Sequence, residues 1–253
     1  MIEDLLVSIV QTDIVWENKK ENFLAYSNLF DQNIKKTDLI ILPEMFATGF
    51  TMNVIPLAET MEGETVNWMK NEASKHNSAI CGSVIIIENE KFYNRLVWIS
   101  SDGSLTFYDK KHLFSMGEEH KNFKPGKDIL TCKIREWSIR PLICYDLRFP
   151  KWCRTDEKNH LTIFIASWPE QRIEHWETLL KARAIENQCF VIGVNRIGVD
   201  KALYNYNGKS QILDPYGNQI YFADNRFEMV TQNLKMEDLV KTRRLFPFLK
   251  DLD

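Results

Sequence analysis

Short apolar runs recur along this chain between helical stretches and tight turns, and that alternation restricts it to a layered α/β architecture. Runs of strand length stand at 5–10, 38–42, 79–87, 97–100, 105–108, 138–144, 161–166, 189–195, 210–213 and 219–222. Helices are expected over 18–33, where Phe23, Tyr26, Leu29 and Phe30 recur at helical spacing, and over 63–75 after a Thr60/Glu62 start. A third is expected over 174–187, whose apolar face is Trp176, Leu179, Leu180, Ala184 and Ile185. The turns Ser101-Asp102-Gly103-Ser104 and Asp214-Pro215-Tyr216-Gly217-Asn218 each join two runs as hairpin connections do, so the sheet is mixed rather than purely parallel. No linker interrupts the pattern, and a single domain over 1–253 is expected. The closing stretch 234–253 carries the cluster Leu245-Phe246-Pro247-Phe248-Leu249, which docks either on a partner subunit or on its own core.

A formal net charge of -3 and the lack of a long lysine/arginine cluster give no pull toward nucleic acid or anionic lipid. Glu3 and Asp4 precede the first apolar run, unlike the basic start of a secretory leader, and no run approaches the roughly 20 apolar residues of a membrane span. A cytoplasmic protein with no membrane partner is therefore expected. The 5 cysteines, Cys81, Cys132, Cys144, Cys153 and Cys189, are widely spaced without a Cys-x-x-Cys pair, so they encode neither a disulfide framework nor a zinc site.

Three of the buried runs end on chemistry. Leu39-Ile40-Ile41-Leu42-Pro43 leads to Glu44, the run to Tyr108 leads to Lys110-Lys111, and Ile139-Arg140-Pro141-Leu142-Ile143 leads to Cys144. Burial at a strand end raises a thiol's pKa, so Cys144 as a nucleophile requires a carboxylate to take its proton and a cation to stabilise the negative charge. Glu44 and one of the two lysines supply those groups, and neighbours on a strand point to opposite faces, so only one lysine enters the site. The backbone N–H of Tyr145, directly after the nucleophile, is the expected second oxyanion donor. An isolated buried cysteine is commonly inert, and Cys81, Cys132 and Cys189 read as core thiols. His112 and His175 lack an i, i+4 partner and read as structural, with no metal site.

The set Leu42-Pro43-Glu44-Met45-Phe46, Tyr108-Asp109-Lys110-Lys111-His112-Leu113-Phe114 and Cys144-Tyr145-Asp146-Leu147-Arg148-Phe149-Pro150 resembles the nitrilase superfamily of carbon–nitrogen hydrolases. The resemblance selects Lys110, two residues before His112-Leu113, and implies a second catalytic glutamate at Glu119, seven residues before Gly126. It also implies a four-layer α-β-β-α sandwich of two mixed β-sheets, a homodimer, and no metal or organic cofactor. Ala166-Ser167-Trp168-Pro169-Glu170-Gln171-Arg172, His175-Trp176 and Leu180-Lys181-Ala182-Arg183-Ala184-Ile185-Glu186-Asn187-Gln188 resemble the bacterial omega-amidase branch, whose members hydrolyse the distal amide of α-keto acid amides such as α-ketoglutaramate. Lys151 stands where many relatives carry glutamate, and Ser167 where asparagine is more usual.

A substrate carboxylate calls for arginine, whose planar fork matches it. Arg148 is the first expected partner and Arg172 the second, unless Asp146 or Glu186 holds Arg148 in a structural ion pair. Trp168 is expected to wall the pocket, and Phe46 and Tyr145 to line it. The rival functions are hydrolysis of a carbamoyl amino acid or a nitrile by the same residues, and a non-catalytic metabolite-binding protein that keeps the pocket.

Overall fold

The structure is a computed structural model describing residues 3–251. Met1 and Ile2 of the opening stretch, and Leu252 and Asp253 of the closing one, lie outside the described residues. In chain order the first strands are β1 (Leu5–Gln11), β2 (Leu39–Ile41), β3 (Ala79–Glu88), β4 (Lys91–Ile99) and β5 (Leu105–Asp109). Next come β6 (Cys132–Ile134), β7 (Trp137–Ile143), β8 (Leu161–Ala166), β9 (Phe190–Asn195), β10 (Ile197–Val199) and β11 (Asn205–Asn207). β12 (Gln211–Leu213), β13 (Gln219–Phe222) and β14 (Glu228–Leu234) complete them. The helices are α1 (Lys19–Asn33), α2 (Val54–Leu57), α3 (Glu64–His76), α4 (Glu119–Asn122), α5 (Pro150–Cys153), α6 (Ile173–Asn187) and α7 (Met236–Leu245).

One sheet has the order β14-β1-β2-β3-β4-β5 and the other β13-β12-β9-β8-β7-β6, while β10 and β11 form a separate ribbon. Each sheet has a parallel centre, β1-β2-β3 or β7-β8-β9, flanked by antiparallel strands. The near-continuous apolar runs follow from burial on both faces of these central strands. Leu39, Ile41, Leu96 and Trp98 point into the cluster shared with Ile139, Ile163 and Ile192 of the other sheet. Their neighbours Ile40, Val97 and Ile99 pack outward against Tyr26 and Phe30 of α1 and Met69 and Ala73 of α3. Trp176, Leu180 and Ala184 of α6 cover the second sheet. The layers are therefore helix, sheet, sheet, helix, and each fully buried large apolar side chain stabilises them by about 1.5–3 kcal/mol.

Several element boundaries depart from the sequence reading. β4 starts at Lys91 rather than at Val97 because Asn89 and Glu90, both at positive φ, form a two-residue hairpin loop without glycine. Asn94 and Arg95 continue that strand as buried polar residues. β14 escapes the pattern because Glu228-Met229-Val230-Thr231-Gln232-Asn233 is a half-exposed edge strand, paired only with β1. Cys144 lies just beyond β7 and opens a 3-10 turn. The closing segment packs on its own chain through the unforeseen α7: Met236 and Leu239 are buried, and the Arg243 guanidinium donates to the carbonyls of Asn159 and Gln188. The apolar cluster that follows does not share that burial, since Leu245, Phe246 and Phe248 are exposed.

Trp98, 1% exposed between the sheets, tests the layered core. Trp98→Ala lowers unfolding stability by about 3–5 kcal/mol, read as a drop in the urea midpoint with an unchanged slope.

Candidate active site

Glu44, Lys110 and Cys144 each lie at or just past the end of a strand, and Glu119 opens a short helix. After β2 and Leu42-Pro43, Glu44 is followed by Met45 at φ +47°, whose N–H donates to Ser83 Oγ at 2.8 Å. Lys110 extends the β5 ladder by one step: its N–H donates to the Asn94 carbonyl at 3.0 Å, so the two side chains are cross-strand neighbours. Gly126 packs over this strand end, where a Cβ would stand 2.1 Å from the Asp109 carbonyl oxygen. Glu118, in the left-handed region at φ +59°, turns the chain so that Glu119 points inward at the start of α4.

Cys144 has φ +43°, a conformation that costs a non-glycine residue and lifts its side chain out of the strand line. The turn holding it is anchored by Asp146, fully buried, which accepts from the Tyr108 hydroxyl at 2.7 Å and the Ile143 N–H at 3.2 Å. It also accepts from the backbone N–H and ring Nδ1 of His112 at 2.9 and 2.8 Å. Arg183 of α6 donates to the Leu147 carbonyl from Nε and an η nitrogen at 3.2 and 2.8 Å, tying the same turn to the outer helix.

Lys110 Nζ donates to Glu44 Oε1 at 2.8 Å and lies 3.0 and 2.9 Å from the two Glu119 oxygens. Asn94 Nδ2 lies 2.9 Å from Glu44 Oε1 and 2.9 Å from Glu119 Oε1. The remaining acceptors are used by backbone: Ser167 N–H donates to Glu44 Oε2 at 2.9 Å, and Phe114 N–H to Glu119 Oε2 at 2.6 Å. Glu44, Lys110, Glu119 and Asn94 are all fully buried. Burial opposes the Lys110 ammonium, but Glu119, Glu44 and Cys144 outweigh it and hold the lysine above its ordinary range. Burial likewise raises the Glu119 carboxyl, against the pull of Lys110. The Cys144 thiol is pushed well up by burial and by the neighbouring Glu44, with Lys110 only partly offsetting them. The sulfur therefore rests protonated, and the adjacent carboxylate is the group able to take its proton.

A cavity of about 310 Å³ opens over Cys144 and Lys110, lined by Tyr145, Trp168, Phe114, Arg148 and Arg172 among others. Arg148 and Arg172 both line it while carrying no carboxylate partner among the described residues. The Arg148 guanidinium stacks 4.7 Å from the Trp168 ring and meets His175 Nδ1 at 3.1 Å, and Arg172 lies over Phe114 at 5.2 Å. Asp146 is occupied by His112 and Tyr108, and Glu186 by Arg183, so neither holds Arg148. Burial and the positive charge of Arg172 both depress the Arg148 pKa.

Phe46 corrects the sequence reading: it does not line the cavity. It lies in the outer layer, 5.7 Å from the Tyr26 ring and 5.6 Å from Trp68, because the turn at Met45 sends it toward α1 and α3. Phe50 takes the wall position instead, its ring 5.3 Å from Lys110 Nζ.

A family model described as carbon-nitrogen hydrolase matches residues 6–244. The chain belongs to the carbon–nitrogen hydrolase family. Omega-amidase YafV of Yersinia enterocolitica is 38% identical to this hydrolase over 250 residues, 98% of this chain and 97% of that protein. The 2-oxoglutaramate amidase of Bacillus subtilis is 31% identical over 251 residues, 97% and 96% of the two chains. The crystal structure of a CN-hydrolase superfamily protein from Xanthomonas campestris, with an arsenic adduct in its active site, superposes at TM-score 0.97 and 38% identity, covering 100% of this chain and 98% of that one.

Sequence reasoning about this carbon–nitrogen hydrolase missed Asn94, which bridges both carboxylates, and Asn195. The latter accepts from the Trp168 N–H at 2.7 Å and donates to the Trp168 carbonyl at 2.9 Å, fixing the wall of the cavity. A polar residue inside a buried strand is the signal that marks Asn94, but the apolar run beginning at Val97 does not reach back to it. Asp200, Tyr204 and Tyr206 of the β10–β11 ribbon also reach the cavity.

Because the free thiol is held well above its ordinary range, alkylation of Cys144 by iodoacetamide accelerates about tenfold per pH unit from pH 7 to 9. Mass spectrometry of the labelled peptide follows it, and a plateau below pH 8 contradicts the electrostatic account.

Proposed function

We propose that this carbon–nitrogen hydrolase is an omega-amidase, releasing the distal amide nitrogen of α-keto acid amides such as α-ketoglutaramate as ammonia through a cysteine thioester. The observation that carries the reading is a thiol and a doubly paired lysine at the floor of a cavity that also presents two arginines with no carboxylate partner among the described residues. The full-length similarity to proteins named omega-amidase and 2-oxoglutaramate amidase supports the same substrate class.

In this mechanism Glu44 takes the Cys144 proton as the sulfur attacks the amide carbon. The resulting oxyanion is held by the Lys110 ammonium and the Tyr145 N–H, which lies in the first turn of the 3-10 segment, where backbone donors lack partners within the helix. Glu44 returns the proton to the departing nitrogen, the C–N bond breaks, and ammonia leaves a thioester on Cys144. Glu44 then takes a proton from water as its oxygen attacks the thioester, and returns that proton to the sulfur as the C–S bond breaks, giving the dicarboxylic acid product, the free thiol and the Glu44 carboxylate again. Glu119 keeps Lys110 charged and in place throughout. Arg148 and Arg172 bind the substrate carboxylate, and Trp168 and Tyr145 wall the bound chain.

The proposal extends to the whole molecule: one catalytic domain over its 253 residues, acting in the cytosol as a homodimer without a cofactor. Five free, buried cysteines suit a reducing compartment, and no helix among the described residues is long and apolar enough to cross a membrane.

Wild-type protein releases ammonia from α-ketoglutaramate, and Cys144→Ala loses at least about 1,000-fold of that rate; equal rates in a coupled ammonia assay remove the proposal. Each of Arg148→Gln and Arg172→Gln deletes a charged hydrogen bond of about 1.5–3 kcal/mol. KM for the keto acid amide accordingly rises about 10- to 100-fold, whereas a primary amide lacking the carboxylate is hydrolysed as by the wild type.

A further inference from the structure

The reactive lysine and the reactive cysteine sit on different sheets. Lys110 follows β5, an edge strand of the first sheet, and Cys144 follows β7 of the second. No backbone ladder joins those strands, so the gap between ammonium and sulfur depends on side-chain contacts across the two layers. Asp146 makes that connection. Two residues past Cys144, it accepts hydrogen bonds from Tyr108, two residues before Lys110, and from His112, two residues after it. A further bond from the Ile143 N–H ties the same carboxylate to the residue preceding the nucleophile.

The contacts around this link restrict its movement. The His112 ring stacks on Phe149 with centroids 3.7 Å apart and planes 7° from parallel. The Tyr108 oxygen in turn accepts from Lys111 N–H at 3.1 Å and from Trp152 Nε1 at 3.0 Å. Asp146 is fully buried and touches neither the cavity nor the Glu44–Lys110–Glu119 cluster.

We propose that Asp146 is a positioning residue, clasping both flanks of Lys110 to the nucleophile turn and so setting the separation of the lysine ammonium from the Cys144 sulfur. The role of His112 in the clasp is to donate Nδ1–H to the carboxylate. The inference rests on the assignment of Cys144 and Lys110 as reacting groups, and acts through them without contact with substrate.

The test uses Asp146→Asn, which keeps the shape but cannot accept at every atom, and His112→Phe, which keeps a ring to stack on Phe149 and removes the Nδ1 donor. A misplacement of about 1 Å costs up to about 100-fold in rate. Both variants should therefore lose about 10- to 100-fold in kcat for α-ketoglutaramate while KM stays within about twofold. Iodoacetamide alkylation of Cys144 slows as well, because the thiolate is then less well placed against the ammonium. In a Lys110→Gln background, with the charge already gone, His112→Phe produces no further slowing, whereas a general loosening of the fold alters alkylation equally in both backgrounds and overturns the proposal. Wild-type kcat in folded His112→Phe overturns it too. Should Asp146→Asn fail to fold, His112→Phe carries the measurement alone. Full activity of Cys144→Ala would instead refute the underlying catalytic assignment, so the two failures are distinguishable.

Discussion

The ammonium of Lys110, buried among two carboxylates and a thiol, is the interaction around which the rest of this structure is arranged. A charge removed from water survives only with full compensation, and here Glu44 and Glu119 provide it at 2.8 to 3.0 Å. Those carboxylates in turn need donors, which come from Asn94 and from the backbone N–H groups of Ser167 and Phe114. Six residues from four stretches of chain thus converge on one buried polar network, which is costly unless complete.

The same network decides how the thiol behaves. Burial and the proximity of Glu44 favour the neutral form, so Cys144 is not a standing thiolate. In the proposed reaction proton removal is coupled to attack, and the positive charge of Lys110 gains most when negative charge appears on substrate oxygen. The left-handed backbone at Met45, Glu118 and Cys144 is the local cost of aiming these side chains off their strand ends and into one space. Packing of two sheets buried on both faces holds these turns in place.

Much of the site is legible in local sequence. A buried strand that ends on Leu42-Pro43-Glu44, or on Ile143-Cys144, announces itself because apolar runs report burial and their ends report where chain surfaces. Choosing Lys110 over Lys111 takes more: alternation says that one lysine faces in, the family resemblance selects Lys110, and in the structure Lys110 pairs across the strands with Asn94 and reaches Glu44. Phe46 departs from the alternation for a related reason. One residue at positive φ between Glu44 and Phe46 reverses the side-chain direction that simple alternation predicts, sending the ring to the helices and leaving Phe50 at the cavity.

By itself the sequence determined the alternation of strands and helices, the two-faced burial of the central strands, and the identity of the groups at their ends. Tertiary structure alone decided that Asn94 meets both carboxylates, that Asp146 reaches across to Tyr108 and His112, and that the two arginines face the cavity with no carboxylate partner among the described residues. The physical reason is range. Periodicity records which side of its own strand a residue occupies, whereas the meeting of a β5 end with a β7 turn depends on how two sheets pack, information held in no single stretch of chain.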